Sequence, residues 1–181
     1  MEMLELRDLH KTFNPGTVNE KVALNGVSLT MEAGDFATIV GSNGAGKSTL
    51  FNAITGGFIA DEGSILLGGQ DITFAPEHQR SKVIGHLFQD PLKGTAPNMT
   101  IEENLIAVRL DQPPFTKGIM MNKSGQDTYA KEMVEQFDIR PADYNLPTSS
   151  LSGGNAQKVV VAREVSLGNK LLVASQPTRG V

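Results

Sequence analysis

The chain has 181 residues, 39% of them apolar and 20% charged, which allows one globular domain with a hydrophobic core. Its net charge of −4 gives no support to nucleic acid or an anionic membrane surface as a general partner. Cysteine is absent, which excludes disulfides and thiolate metal sites, and no apolar run reaches the roughly 18 residues of a membrane-spanning helix. The acidic, alternating start is unlike a signal peptide, so we expect a cytosolic protein.

The first part of the chain predicts two antiparallel strands followed by a buried strand. Residues 4–13 alternate in polarity and predict a half-exposed strand that ends in a turn at 14–16. Residues 22–31 repeat the strand pattern, with a bulge expected at Gly26. Residues 35–40 are a short apolar run before a glycine, which predicts a buried strand.

Residues 41–49 read G-x-x-x-x-G-K-[ST], the phosphate-binding loop, and a helix is predicted from Ser48 to Thr55. The glycines let backbone N–H groups surround phosphate oxygens, and the helix start adds partial positive charge. Lys47 would reach the β- and γ-phosphates, and the Ser48 hydroxyl would bind Mg²⁺. A plain glycine-rich turn is the alternative, although the four fixed positions arise by chance on the order of once per hundred such chains. The candidate nucleotide-binding residues are Ser42, Asn43, Gly44, Ala45, Gly46, Lys47, Ser48 and Thr49.

Two further strands are predicted at 64–67 and 83–88, and the second leads into Gln89 and Asp90. Ligands of α/β sheets bind beyond the C-terminal ends of parallel strands, which makes Gln89 a candidate for the phosphate site. A solvated loop glutamine is the alternative.

From residue 91 the pattern becomes helical. Residues 100–110 open with a Thr-x-x-Glu capping box and predict an amphipathic helix, and residues 129–137 predict a second one. The three apolar residues at 119–121 lie in a loop-like stretch. The pattern therefore predicts a core of residues 1–90 and 151–181 that carries a helical subdomain, residues 91–150.

Residues 151–155, Leu-Ser-Gly-Gly-Asn, precede a predicted helix that ends at Gly168. Ser152 is a natural N-cap, and the glycine-rich helix start is a second candidate anion site. The alternative is a simple helix cap. Residues 170–174 predict a last buried strand, which runs into Ser175.

Together these motifs resemble the nucleotide-binding subunit of ATP-binding-cassette (ABC) transporters over the whole chain. Residues 41–49 match the family's Walker A motif, Gln89 its Q-loop glutamine, and residues 151–155 its signature, with Asn155 where Gln is commoner. Phe13 is similar in position to the family's aromatic residue that stacks on adenine; a core phenylalanine is the alternative. The resemblance implies an α/β P-loop NTPase core with N-terminal antiparallel strands and a helical insert, its C-terminal part missing.

The resemblance also implies ligands and partners. ATP with Mg²⁺ would lie between two cassettes in a head-to-tail dimer, with Ser152, Gly153 and Gly154 of one cassette on the γ-phosphate held by the other. Ser48 and Gln89 would hold Mg²⁺. The helical subdomain would dock transmembrane permease subunits, so the protein would lie peripherally on the inner face of the cell membrane. The signature is similar to those of sugar and nucleoside importers, whereas residues 89–104 look more like a single-cassette branch; a recombined chain or an under-sampled branch would explain both.

The chain departs from the family at the end of the Walker B strand. The family has Asp-Glu where this sequence has Ser175 and Gln176. Losing the aspartate that orients the Mg²⁺ shell costs about 10–100-fold, and losing a positioned general base about 10²–10⁴-fold. We therefore expect nucleotide binding to survive better than hydrolysis, with Gln89 and Gln176 as the remaining candidate catalytic residues.

The sequence also ends at Val181, before the family's D-loop and switch histidine; its histidines are His10, His78 and His86. In the family, a further strand lies between the Walker A and Walker B strands. Without that strand, both would leave rows of unpaired backbone groups, so we expect a compromised core.

The predicted function is the ATP-binding subunit of an ABC importer that binds Mg-ATP and hydrolyses it poorly. Three alternatives stay open: an active ATPase in which Gln89 and a partner's residue replace the carboxylates, a nucleotide-binding regulatory or interaction module, and an inactive truncated or composite chain.

Overall fold

The structure is a computed structural model that describes residues 2–118 and 120–175. It divides after Ile84 into two compact units, the N-terminal unit and the C-terminal unit. The strands and helices in chain order are β1 Glu2–Phe13, β2 Lys21–Glu32, α1 Lys47–Thr55, β3 Glu62–Leu67, β4 Gln70–Asp71, α2 Glu77–Arg80, β5 Ile84–Leu87, α3 Ile101–Ile106, β6 Thr116–Lys117, β7 Met120–Met121, α4 Lys123–Gln136, α5 Gly153–Ser166 and β8 Leu171–Ala174. Short 3₁₀ turns lie at Pro91–Gly94 and Thr148–Ser150.

The N-terminal unit is built on an antiparallel sheet of strand order β2-β1-β3-β4. Alternating apolar side chains of β1 and its neighbours are buried because successive residues of a strand face opposite sides. The pairing of β1 with β2 skips Gly26, which has φ 72°, so the predicted bulge is confirmed. The buried core of the sheet includes Leu4, Leu6, Leu9, Leu24, Ile65 and Leu67.

The prediction of a buried strand at residues 35–40 is wrong. The segment is irregular, and Phe36 and Val40 are 93% and 84% exposed. An extended segment becomes a strand only when a neighbour accepts and donates its backbone hydrogen bonds, and no described strand pairs with it.

The C-terminal unit packs three helices, α3, α4 and α5, around an apolar core, and β5 pairs with β8. The capping box is confirmed: Glu103 N–H donates to Thr100 Oγ1 at 3.1 Å, and Thr100 N–H donates to Glu103 Oε2 at 2.7 Å. Helix α3 ends at Ile106, earlier than predicted. The core residues are Ile101, Leu105, Ile106, Phe115, Ala130, Met133, Val134, Ile139, Val159 and Ala162.

Met120 and Met121, which belong to the stretch interpreted as loop-like, form β7, and this strand pairs with β6 in a small hairpin. Gly118 lies between these strands with φ 65°, a left-handed conformation that glycine adopts without a Cβ penalty. Within the described ranges, no helix is both long and apolar enough to cross a bilayer.

Candidate functional site

The phosphate-loop segment runs irregularly from Gly41 into helix α1. Its tight turn is closed by a hydrogen bond from Ala45 N–H to the Ser42 carbonyl at 3.2 Å. Gly46 has φ 90°, and a Cβ there would lie 2.5 Å from the Ala23 carbonyl oxygen. Only glycine therefore fits at this position, for reasons of both backbone conformation and space.

Lys47 is held by the loop that precedes it. Its ammonium donates to the carbonyl oxygens of Gly41 and Ser42, each at 2.8 Å. An ammonium has three donors, and the third has no hydrogen-bond partner among the described residues. The lysine is thus attached to the loop and still has a donor for an anionic ligand.

The start of α1 has no side-chain cap. Gly46 is its N-cap residue, and glycine offers no acceptor for the N–H groups of the first turn. Those N–H groups, with the positive end of the helix, form the arrangement that binds phosphate in other proteins. Ser48 is exposed in this first turn, as are Ser42, Asn43, Gly44 and Ala45 in the loop, whereas Thr49 is half-buried.

Arg80 holds the other end of α1, a role that the sequence pattern did not reveal. This side chain is 1% exposed, and its guanidinium donates to the carbonyls of Ala53 and Ile54 at 2.7 and 2.9 Å. It also donates to the Thr73 and Ala75 carbonyls, each at 2.8 Å. Burial lowers the pKa of the guanidinium, an effect that nearby Asp71 opposes. Arg80 lies in a different helix, α2, and belongs to no recognised motif, so the sequence alone did not indicate this role.

Phe13 lies half-buried at the end of β1. Its ring meets the ring of Phe58 edge-on, with centroids 5.6 Å apart and planes at 82°. Lys11 Nζ lies 5.7 Å from the Phe13 centroid and 5.4 Å from that of Phe58. The aromatic residue predicted from the resemblance therefore belongs to a cluster within the N-terminal unit.

Gln89 follows β5 in the C-terminal unit and is exposed. The next residue, Asp90, starts a 3₁₀ turn by accepting a hydrogen bond from Leu92 N–H at 3.1 Å. Gln89 therefore lies at the C-terminal end of its strand, as the sequence predicted.

The signature forms the start of α5. Ser152 is the N-cap, and its Oγ accepts from Asn155 N–H at 3.4 Å and from Asn155 Nδ2 at 3.1 Å. Asn155 Oδ1 accepts from Arg140 N–H at 2.8 Å. Gly153 and Gly154 form the first turn of the helix. Asn155 thus links the signature serine to the chain segment before it, a contact that sequence spacing did not indicate.

Strand β8 ends at Ala174, and Ser175 N–H donates to the Leu87 carbonyl at 2.9 Å. Ser175 thus continues the contact between β8 and β5, and the residue predicted at the general-base position, Gln176, lies outside the described residues. In the part of the chain that the structure describes, no group of three or more His, Asp or Glu side chains could hold a metal ion.

The profile of the ABC transporter family matches residues 24–179. The chain is 36% identical over 181 residues to the nucleoside import ATP-binding protein NupA of Lactococcus lactis, across 99% of this chain and 35% of NupA. It is 35% identical over 178 residues to the xylose/arabinose import ATP-binding protein XylG of Sulfolobus acidocaldarius, across 98% of this chain and 66% of XylG. The chain thus spans less than two thirds of either relative.

Solved structures show the same likeness. The chain aligns with the dimeric ATP-binding cassette MJ0796 bound to ADP and Pi with a TM-score of 0.80 and 27% identity, across 99% of this chain and 76% of that one. The predicted P-loop NTPase fold is thereby confirmed. Because the family profile covers most of the sequence and the fold likeness nearly all of it, the chain belongs to the ABC transporter family.

Proposed function

We propose that this chain is the nucleotide-binding part of an ATP-binding subunit of an ABC importer and that it binds Mg-ATP at residues 41–49. The proposal rests on the position of Lys47. Its ammonium donates to the carbonyls of Gly41 and Ser42 at a helix start that has no side-chain cap. A triphosphate supplies the anionic oxygens that the remaining ammonium donor and the first-turn N–H groups need.

Mg²⁺ bound with the triphosphate neutralises charge on its β- and γ-phosphates. Ser48, in the first turn after the phosphate loop, is the side chain that would hold the cation, and the resemblance to the family assigns Gln89 the same role. Both are exposed and offer a neutral oxygen, which suits an ion that takes most of its ligands from phosphate and water. Asn43, Gly44, Ala45 and Thr49 complete the proposed phosphate contacts.

Partners follow from the relatives. NupA and XylG are named as import ATP-binding proteins, and the MJ0796 cassette is dimeric. We therefore extend the proposal to a second cassette, whose bound γ-phosphate would meet Ser152, Gly153 and Gly154. Residues 91–150 would form a helical subdomain that docks a permease, which would hold the subunit at the inner face of the membrane.

Hydrolysis is expected to be slow. Ser175, at the end of β8, has no carboxylate to orient the Mg²⁺ shell, and Gln176 cannot accept a proton. Losing a positioned general base lowers turnover by about 10²–10⁴-fold, whereas binding depends on the loop and Lys47. A module that binds nucleotide without turning it over is therefore the second candidate function, favoured by the same residue, Ser175.

Titration calorimetry with Mg-ATP tests the proposal, together with a phosphate-release assay on the same sample. We expect Lys47→Ala to weaken binding by about tenfold or more, because hydrogen bonds to charged groups contribute about 1.5–3 kcal/mol. Lys82→Ala, which removes an exposed lysine of the same unit, is the matched control and should bind as the parent chain does. No binding by the parent chain, or equal binding by Lys47→Ala, contradicts the proposal. Rapid phosphate release contradicts the expectation of slow hydrolysis and leaves the proposed nucleotide binding intact.

A further inference from the structure

The end of β1 is joined to the segment of residues 58–61 between α1 and β3. Asp61 is the centre of this connection: its carboxylate accepts from Lys11 Nζ at 2.6 Å and from Thr12 N–H at 2.7 Å. Its own N–H donates to the His10 carbonyl at 2.9 Å. Lys11 Nζ also donates to the Ile59 carbonyl at 3.2 Å. These bonds continue the attachment where the pairing of β1 with β3 ends, at His10 and Glu62.

The connection brings two aromatic rings into a defined arrangement. The rings of Phe58 and Phe13 make an edge-on contact, with their centroids 5.6 Å apart and their planes at 82°. This is a favoured geometry for aromatic pairs. The Lys11 ammonium lies within 6 Å of both ring centroids, at the range of cation–π attraction. The side chain of Lys11 is 17% exposed, so its position is set by packing as well as by Asp61.

We propose that Phe58 is a positioning residue for the nucleobase, because it sets the plane of the Phe13 ring, to which the family resemblance assigns stacking with the base of a nucleoside triphosphate. The inference rests on the nucleotide binding proposed above. Stacking requires that the flat face of the ring is parallel to the base, and an edge-on neighbour restricts rotation of the ring about its side-chain bonds. Phe58 therefore acts through Phe13 and needs no contact with the ligand.

Asp61 supports this arrangement from the strand side. The hydrogen bond from Lys11 and then that from Thr12 N–H lower the pKa of the Asp61 carboxyl, so it is ionised at neutral pH. The ionised carboxylate keeps Lys11 beside the two rings and keeps residues 58–61 beside the end of β1. Removing its charge should loosen the same ring pair without altering either ring.

The test compares two ligands that share the triphosphate, Mg-ATP and Mg-tripolyphosphate, of which only ATP carries a nucleoside with its base. We expect Phe58→Leu to weaken ATP binding by about three- to tenfold and to leave tripolyphosphate binding unchanged, because only the base uses the ring. Phe58→Tyr keeps the ring and should restore ATP affinity. Phe74→Leu, at a phenylalanine that is 76% exposed in the same unit, is the matched control and should change neither affinity.

A double-mutant cycle shows whether Phe58 acts through Phe13. Phe13→Leu should weaken ATP binding by about tenfold, and adding Phe58→Leu to it should cause no further loss. Asp61→Asn gives an independent perturbation and should weaken ATP binding selectively, as Phe58→Leu does. Circular dichroism of each variant shows that the unit remains folded.

Three results with the variants overturn the inference and leave the proposed nucleotide binding intact. They are unchanged ATP affinity in Phe58→Leu, equal loss of ATP and tripolyphosphate affinity in that variant, and additive losses in the double mutant. If the parent chain binds neither ligand, the proposed function fails and the inference fails with it. If the parent chain binds tripolyphosphate and ATP equally well, the proposed phosphate site is supported, whereas base stacking on Phe13 and the positioning role of Phe58 are contradicted.

Discussion

Two helices of this chain begin at glycine-rich motifs, and they begin in different ways. Helix α1 starts at Gly46, which has a left-handed conformation and provides no side-chain acceptor. Helix α5 starts at Ser152, whose hydroxyl accepts a hydrogen bond from the N–H of Asn155. The Asn155 side chain adds a second bond to that hydroxyl at 3.1 Å. The first helix start therefore lacks an acceptor from its own side chains, and the second has one.

The difference shows why a glycine-rich helix start does not by itself indicate an anion site. The first N–H groups of any helix lack intrahelical partners and must find an acceptor elsewhere. In α5 the chain supplies one, so a ligand at Ser152 competes with an existing cap. In α1 the cap is missing and Lys47 lies beside the gap, so a phosphate would complete the helix start. Two of the four perturbations below act on these helix starts, and the other two act on contacts that hold the same two helices.

The largest expected effect is at the far end of α1. Arg80→Met removes the guanidinium that donates hydrogen bonds to the carbonyls of Ala53, Ile54, Thr73 and Ala75. Each buried acceptor left without a partner costs about 1–3 kcal/mol, so we expect the free energy of unfolding to fall by about 3 kcal/mol or more. Denaturant unfolding followed by circular dichroism measures the change.

Arg7→Met is the matched control for Arg80→Met, because the Arg7 side chain is 58% exposed and pairs with Glu5 at the surface. Its effect should stay within about 0.5 kcal/mol. Equal losses in the two variants would show that the carbonyl contacts of Arg80 contribute little.

A matched pair of glycine substitutions comes next. Gly46→Ala forces a Cβ into a left-handed backbone and within 2.5 Å of the Ala23 carbonyl, so we expect a loss of about 2 kcal/mol or more. A Cβ added at Gly153 would have no atom within 4 Å. Gly153→Ala should therefore leave the free energy of unfolding unchanged or raise it by up to about 1 kcal/mol. Thermal and denaturant unfolding of both variants give the comparison, and similar values for the two would contradict it.

Removing the cap of α5 should have a smaller effect. Ser152→Ala deletes the acceptor for Asn155 N–H, and loss of such a cap typically costs about 1 kcal/mol. Ser124→Ala, at an exposed position in the first turn of α4, is the control and should cost less. The free energy of unfolding from urea titrations distinguishes the two. An unchanged value for Ser152→Ala would mean that Asn155 or water satisfies the helix start.

Acid should produce the smallest effect, through Asp138 near the signature helix. The hydrogen bond from Arg140 and then that from Lys158 lower the pKa of the Asp138 carboxyl below its usual 3.8. The unfolded chain therefore binds a proton at Asp138 more readily than the folded chain does. The contribution of the ionised Asp138 to the free energy of unfolding is present above about pH 4 and is lost as pH falls through the pKa of the folded chain. Asp138→Asn should make the decline of stability below pH 4 less steep, and salt should weaken the difference because these groups are exposed. Parallel declines for the parent chain and the variant would contradict this.

Local chemistry determined much of this protein from sequence alone. The capping box of α3, the N-cap Ser152 and the end of α1 at Gly56 each depend on residues within one turn of a helix. The same holds for the phosphate-loop motif, because its glycines and Lys47 act within nine consecutive residues. Sequence therefore predicted the family, the helices α1, α3, α4 and α5, and the candidate phosphate site, but not the short helix α2.

Only the tertiary structure decided features that need distant partners. Residues 35–40 have the composition of a buried strand, yet a strand forms only when another strand satisfies its backbone groups. Arg80 acquires its role because folding brings it to the last carbonyls of α1, and Phe58 because Asp61 holds its segment against the end of β1. Hydrophobic periodicity and motif spacing describe neighbours along the chain, whereas these contacts join residues that are 26 or more positions apart.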